Sequence, residues 1–374
     1  MQAVAVQPQS RRVALVAHQT PRITRATEVR LRMLEVGVCG TDREIACFEY
    51  GTPPDGQQHL VIGHESLGEV VETGAAVTGL EVGDLVVPMV RRPCPHDHCA
   101  ACRQDRQDFC YTGDFVERGI KQSHGFMTPH VVEDQRYLVP VPRELRDVAV
   151  LVEPLTIAEK ALAELAVVQQ RLPWACSIAR GSERHSCHRA LVLGAGPVGL
   201  LGAMALRNAG FDTVVYSKSP APNPSADVVA AIGGRYVSSE EVGVDELAEL
   251  VGGIDVVFEA VGASQLAFDV LRVLGTNGIF IFTGVPARKG PIEVDADLLM
   301  RNLVLKNQVV LGSVNASRAD FERAIADLSD FMVRWPDAVR GLISGRHPLD
   351  AFERLLTTRP GGIKHVLVLD GASP

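Results

Sequence analysis

The sequence predicts an α/β protein of two domains, the first rich in β-strand and the second built on a doubly wound parallel sheet. Three observations point there. The chain has 374 residues, more than one ordinary core holds and enough for two. Up to about residue 150, apolar residues alternate or come in short runs broken by glycine, the pattern of strands and turns. From Arg189 onward, short apolar runs alternate with helix-length segments, the pattern of strand and helix units around a parallel sheet.

Residues 13–17 are a short apolar run, and in 29–36 Val29, Leu31 and Met33 alternate with Arg30 and Arg32, as a half-buried strand does. Glycines recur through 63–83 as a partly opened barrel or sandwich requires. Residues 159–170 place Leu162, Leu165 and Ala166 on one helical face, with Pro173 as a stop, and 173–188 read as a linker or surface loop. Strands then fall at 190–193, 213–216, 256–260 and 279–282, and helices at 198–208 and 226–232. The apolar run 303–311 suits a buried strand or a subunit interface beside the parallel sheet. Residues 318–374 hold helices and a last strand near 365–369 that returns to the first domain. The expected domains are 1–187 with 312–374, and 188–311.

Composition narrows the function. With 46% hydrophobic and 22% charged residues the chain is an ordinary globular one. A net charge of -8 and the lack of a Lys/Arg run exclude a dedicated nucleic-acid binder. The longest uncharged stretch, 190–206, carries four glycines and Pro197 and is short for a membrane span. Residues 1–10 do not read as a signal peptide, so a cytoplasmic protein with reduced thiols is expected.

Gly194-Ala195-Gly196-Pro197-Val198-Gly199 follows a strand and opens a helix, the context that a dinucleotide fingerprint needs. The first glycine permits a tight turn, the second lets backbone approach a pyrophosphate, and the third lets helix pack on strand. At the end of the next strand, where an acidic residue would hold the ribose of NAD, the chain reads Ser217-Lys218-Ser219. A cation and two hydroxyls suit a 2′-phosphate, so NADP is the favoured cofactor, with use of NAD allowed.

The chain has eight cysteines, and four of them, Cys94, Cys99, Cys102 and Cys110, fall within 17 residues. In a reducing compartment that density points to metal: four thiolates close a tetrahedral zinc shell and leave no room for substrate. His96 and His98 lie in the same stretch, and either is an alternative to Cys94.

Gly63-His64-Glu65-x-x-Gly68 with Gly74 and Val77, preceded by Cys39-Gly40-Thr41-Asp42 and followed by Gly83-Asp84-Leu85-Val86, resembles the zinc signature of the medium-chain alcohol dehydrogenases. The cysteine lobe and the fingerprint at Gly194 follow in that family's order. Within it the chain is most similar to the archaeal-type glucose 1-dehydrogenases, through Arg91-Arg92-Pro93, Asp108-Phe109-Cys110, Glu117-Arg118-Gly119-Ile120, His124-Gly125-Phe126-Met127, Glu153-Pro154-Leu155 and Gly312-Ser313-Val314-Asn315.

The resemblance implies a GroES-like β-barrel catalytic domain, a Rossmann domain, and an active site in the cleft between them. It implies that Cys39, His64 and Glu153 hold a catalytic zinc, with Glu65 a nearby or alternating ligand and Asp42 orienting His64. Thr41 would pass the substrate proton toward the cofactor ribose. Glu117, Glu153 and Asn315 would meet substrate, with Asn315 and Phe282 also meeting cofactor. The implied reaction is zinc-dependent transfer of hydride from a sugar or polyol hydroxyl, glucose-like and oxidised at C1 to the lactone, to NADP+ or NAD+. A polyol, alcohol or deoxysugar dehydrogenase is the alternative, and a non-catalytic zinc and nucleotide binder a more distant one. A homodimer or homotetramer is implied, with no membrane partner. The chain departs from the family's pattern in three places. The first two lobe cysteines stand two residues further apart than usual, Glu44 lies where a relay histidine is familiar, and Val90, Ile157 and Leu305 are apolar where some sugar-specific members carry polar side chains.

Overall fold

The computed structural model describes residues 1–173, 188–287, 290–358 and 360–369, so the expected linker at 173–188 lies outside the described residues apart from its two end residues. The chain divides into two compact units, Met1–Thr156 with Asn315–Leu328 and Ile343–Pro374, and Ile157–Val314 with Ser329–Leu342.

The first unit carries strands β1 (Gln2–Gln7), β2 (Arg12–Ala17), β3 (Glu28–Val38), β4 (Leu60–Val61), β5 (Glu65–Thr73), β6 (Leu85–Pro88), β7 (Arg91–Arg92), β8 (Val116–Arg118), β9 (Gln122–Ser123), β10 (His130–Asp134) and β11 (Leu138–Val141). The second carries β12 (Arg189–Leu193), β13 (Asp212–Ser217), β14 (Arg235–Ser238), β15 (Val256–Glu259), β16 (Ile279–Phe282) and β17 (Val309–Gly312). The first is then completed by β18 (Ile343–Pro348) and β19 (Lys364–Val368).

β3 is the spine of a seven-stranded sheet ordered β11-β6-β5-β3-β19-β18, with β10 also paired to β3. Its N-terminal half lies between β5 and β10 and its C-terminal half between β5 and β19, all antiparallel. The alternation read in 29–36 buries Val29, Leu31 and Met33 in a core shared with Phe126, Met127 and Leu367, and Val36 joins them after the register shifts between Met33 and Glu35. The last strand, β19, pairs with β3 in this sheet.

A turn at the start of β3 gives a pH-dependent prediction. Glu28 is 6% exposed and accepts the amides of Thr24 (2.7 Å) and Arg25 (2.9 Å), the Thr24 hydroxyl and the Arg25 guanidinium. Burial pushes its carboxyl up, but these donors outweigh it and lower the pKa from 4.5 to about 2. The native state favours the ionised form, so the stabilisation is complete above the unfolded pKa and is lost as pH falls from 4.5 toward 2. Glu28→Gln is expected to cost about 2 kcal/mol at neutral pH, after discounting for the exposed Arg25, in urea unfolding. A cost that stays constant down to about pH 3 would refute this account.

The second unit is a six-stranded parallel sheet ordered β14-β13-β12-β15-β16-β17. Its strands are short apolar runs because both faces are covered. The order reverses at β12, which places a crevice at the carboxyl ends of the central strands. The helix Pro197–Asn208 packs tightly on the sheet, since a Cβ at Gly202 would stand 2.4 Å from the Phe258 ring. The run at 303–311 is not one strand. Leu303, Val304 and Leu305 finish the helix Ala296–Leu305, Asn307 takes a left-handed φ of 49° that stops it, and β17 begins at Val309 as the sheet edge.

Candidate functional site

Cys39 leaves β3 and caps the short helix Gly40–Ala46. Its amide is held by Asp42 Oδ2 at 2.9 Å, so one turn of chain fixes both residues. His64 sits between β4 and β5 behind Gly63, whose φ of 89° and close approach to Met127 and Val36 leave no room for a Cβ. Glu65 opens β5 opposite Gly37. Cys39 Sγ lies 3.3 Å from His64 Nε2, and His64 Nδ1 lies 3.5 Å from Asp42 Oδ1. One ligand atom each from Cys39, His64 and Glu65 fall within 4.8 Å of one another. Thr41 is half-buried in the first turn of the same helix.

The electrostatics suit a cation. Burial works against charge on His64, but Cys39 and Asp42 outweigh it and raise its pKa well above the ordinary value. Burial likewise opposes charge on Asp42, and His64 outweighs it, so the Asp42 pKa is lowered. Glu153, in the first turn of the helix Val152–Gln169, lies outside the 4.8 Å group but within electrostatic reach of His64, Asp42 and Glu117. Burial pushes its carboxyl up to about 7. His64 Nδ1 and Asp42 Oδ1 make no close hydrogen bond. A thiol, an imidazole and buried carboxylates are a donor set that fits zinc.

Sequence reasoning missed Lys364. It is 1% exposed on β19, and its Nζ bonds Glu65 Oε2. A Cβ at Gly37 would fall 2.5 Å from that carboxylate and 2.7 Å from Lys364 Cε, so the glycine makes the space. Lys364 therefore holds Glu65 away from the role of a free ligand. Nothing local to 364 in the sequence signals a partner in Gly63-His64-Glu65.

Glu117, on β8, is buried and takes Arg91 Nε at 3.0 Å and Asn315 Nδ2 at 2.9 Å. Asn315 adopts φ 60°, and its own Oδ1 accepts the Ala316 amide. Arg91 also donates to the carbonyls of Gln107 and Asp108, linking this pair to the cysteine lobe. Val90 is buried in the barrel core and Leu305 ends an exposed helix, so neither is a pocket wall within its own unit.

In the lobe the four sulfurs of Cys94, Cys99, Cys102 and Cys110 lie within 4.8 Å of one another. The Cys99 and Cys110 sulfurs are 3.9 Å apart, close to the ~3.8 Å that tetrahedral zinc–sulfur bonds impose. Burial raises Cys110, but the Thr112 hydroxyl and the Thr112 and Gly113 amides outweigh it and lower its pKa to about 6. Burial pushes Cys102 up. His96 is engaged elsewhere, with Nε2 at 2.5 Å from Asp114 Oδ2. The donor set fits a closed zinc shell.

The fingerprint loop joins β12 to the helix Pro197–Asn208. Gly194 has φ 100°, and a Cβ on Gly199 would stand 2.1 Å from the Gly194 carbonyl oxygen. A Cβ at Gly196 would meet nothing within 4 Å, so this helix N-terminus is open to a phosphate. Pro197 and Val198 form its first turn. Ser217 is half-buried at the end of β13, while Lys218 and Ser219 are exposed with their carbonyls held by Ser238 Oγ and Tyr236 OH. Phe282 is half-buried at the end of β16 and packs on Phe280, at 4.5 Å between centroids. A second residue that the sequence did not signal is Glu259, whose carboxylate accepts the amides of Val261, Gly262 and Gly284 and so ties together the loops after β15 and β16.

Two family models match: the alcohol dehydrogenase GroES-like domain over residues 25–143, and the glucose dehydrogenase C-terminus over residues 146–369. The glucose 1-dehydrogenase of Methanocella arvoryzae is 39% identical over 375 residues, covering 100% of both proteins. That of Thermoproteus tenax is 40% identical over 340 residues, covering 91% of each. Among solved structures, Haloferax mediterranei glucose dehydrogenase in complex with NADP, zinc and gluconolactone is 31% identical and superposes with a TM-score of 0.88 over 100% of each chain. The GroES-like and Rossmann architecture expected from the motifs is thereby shared along the whole length, and the chain belongs to the glucose 1-dehydrogenase family of zinc-dependent medium-chain dehydrogenases.

Proposed function

We propose that this enzyme oxidises a glucose-like aldose at C1 to the lactone, with hydride passing to NADP+. The observation that carries the reading is the grouping of Cys39, His64 and Glu65 beside buried Glu153, in a chain that matches over its full length a glucose dehydrogenase bound to NADP, zinc and gluconolactone. Cys39, His64 and Glu153 would hold the catalytic zinc, with Glu65 the alternating ligand that Lys364 retains. Zinc in such a site supplies a Lewis acid that makes a hydroxyl more acidic, and the nicotinamide supplies the hydride acceptor. Asp42 fixes the ring of His64 through Nδ1. The Thr41 hydroxyl relays the proton of the substrate C1 hydroxyl along a hydrogen-bonded chain, donating its own proton as it accepts that one. Glu117, positioned by Arg91, accepts a sugar hydroxyl, and Asn315 turns its amide to the same oxygens. Cys94, Cys99, Cys102 and Cys110 hold the structural zinc.

Gly194, Gly196 and Gly199 bring backbone amides to the pyrophosphate. Ser217, Lys218 and Ser219 meet the 2′-phosphate, and the Lys218 and Ser219 carbonyls are already held by Ser238 and Tyr236 of β14. Initial rates with glucose, galactose, xylose and simple alcohols, with NADP+ or NAD+ and with or without chelator, test the reading. Chelator-sensitive turnover of aldoses is expected, and Lys218→Ala should raise KM for NADP+ about 10-fold or more while leaving NAD+ little changed. Activity confined to simple alcohols would overturn the sugar assignment.

The sheet edge supports a homo-oligomer. β17 has no partner on its outer side among the described residues, and Val304 is 74% exposed and Met300 65% exposed on the helix that precedes it. A second copy pairing along β17 would cover both, giving a homodimer or a tetramer built from it. Val310→Pro is expected to shift sedimentation toward monomer, and an unchanged profile would count against this edge. All six described cysteines are free, in keeping with a cytoplasmic enzyme, and no described helix is long and apolar enough to cross a membrane.

A further inference from the structure

We propose that His18, His59 and His124 form a third metal site, for a borderline divalent transition-metal ion such as zinc, cobalt or nickel. The site shares no residue with the two sets described above. The three side chains come from three separate places: the end of β2, the segment ahead of β4, and the loop after β9. One ring nitrogen from each falls within 4.8 Å of the others. The ring centroids are 4.9 Å apart for His18 and His124, 5.1 Å for His59 and His124, and 5.8 Å for His18 and His59.

Three imidazoles converging in this way need a reason, because packed polar rings forfeit hydrogen bonds with water. His59 Nε2 makes that cost visible, being buried with no hydrogen-bond partner. An ion meets the need directly by accepting its lone pair. Three imidazoles are also a donor set that transition metals prefer to magnesium or calcium. Burial lowers the pKa of His18 and takes that of His124 to about 4, with neighbouring histidines and Arg118 adding to the effect, so these two rings keep their lone pairs near neutral pH. The nearby cations are partly offset, since Arg118 lies 3.5 Å from Glu133.

The remaining contacts of His124 show how loading proceeds. The Val61 amide donates to Nδ1 at 3.1 Å, so Nε2 carries the ring proton and donates it to Gln57 Oε1 at 2.6 Å. An incoming ion replaces one of these two contacts. All three side chains are half-buried rather than sealed, which leaves a coordination position for water. An ion here would tie three segments of the first unit together.

The test uses the enzyme purified without a polyhistidine tag, with its cysteine-bound zinc retained, titrated with Co(II). About one further equivalent is expected to bind, with visible d–d bands and no near-ultraviolet thiolate charge-transfer band. His59→Gln should weaken that binding at least 10-fold and leave the rate of sugar oxidation unchanged. Failure to bind Co(II) at micromolar concentration would overturn the proposal. So would a thiolate band, which would mean exchange into the cysteine sites, or binding as tight as wild type in both His59→Gln and His18→Gln. Should a variant fail to fold, paramagnetically shifted imidazole resonances of the wild-type cobalt form decide: signals from three histidines support the site, and signals from fewer than three refute it.

Discussion

Replacing His64 with alanine is expected to lower kcat by about 10⁴-fold or more, equivalent to at least ~5 kcal/mol of transition-state stabilisation. The physical reason lies in the arrangement around Cys39. Cys39 Sγ at 3.3 Å and Asp42 at 3.5 Å both bear on one imidazole, and both are fixed by the cap of a single short helix. Without that ring the thiol and the carboxylates face each other uncompensated. Zinc content should fall by about one ion per chain while the lobe keeps its own. Asp42→Asn should lie between the two, since it leaves the ring but removes the charge that fixes it, a change that typically costs 10- to 100-fold. Metal analysis beside initial rates checks both. A His64→Ala enzyme that keeps its full zinc content and rate would end the assignment.

Loss of the lobe should act on stability. Cys102→Ser removes one of four sulfurs that stand within 4.8 Å of one another in a segment with little apolar material of its own. Burial pushes the Cys102 thiol up, so a cation is needed to hold that sulfur as a thiolate. The variant is expected to lose about one zinc ion per chain and to melt lower by on the order of 10 °C, with the surviving folded enzyme within about threefold of the wild-type kcat. Arg91 gives a route for a smaller effect on KM, because it bridges the Gln107 and Asp108 carbonyls to Glu117. A calorimetric scan with metal analysis decides the matter: an unchanged melting temperature with full zinc content would mean that the lobe does not fold around metal.

Local chemistry was legible in the residues alone. The spacing of Gly194, Gly196 and Gly199 specifies a strand-to-helix turn, and the turn forms with the strained φ at Gly194 and the open helix end at Gly196 that the spacing requires. The cysteine cluster was equally plain, because metal ligands close in sequence need little help from the rest of the fold. His96 remained open as a ligand from sequence, and its pairing with Asp114 supports Cys94. The grouping of Cys39, His64 and Glu153 was read only by resemblance, since no period or spacing joins positions that far apart.

What sequence determined, then, was the kind of unit each segment builds, because turn geometry, capping and apolar period act over a few residues. Tertiary structure alone decided that Lys364 meets Glu65 across 299 residues, that Asn315 meets Glu117 across 198, and that three histidines from separate loops share one corner. The first of those meetings depends on the register of β19 and β5 against β3, where a slip of one residue would turn every side chain to the opposite face.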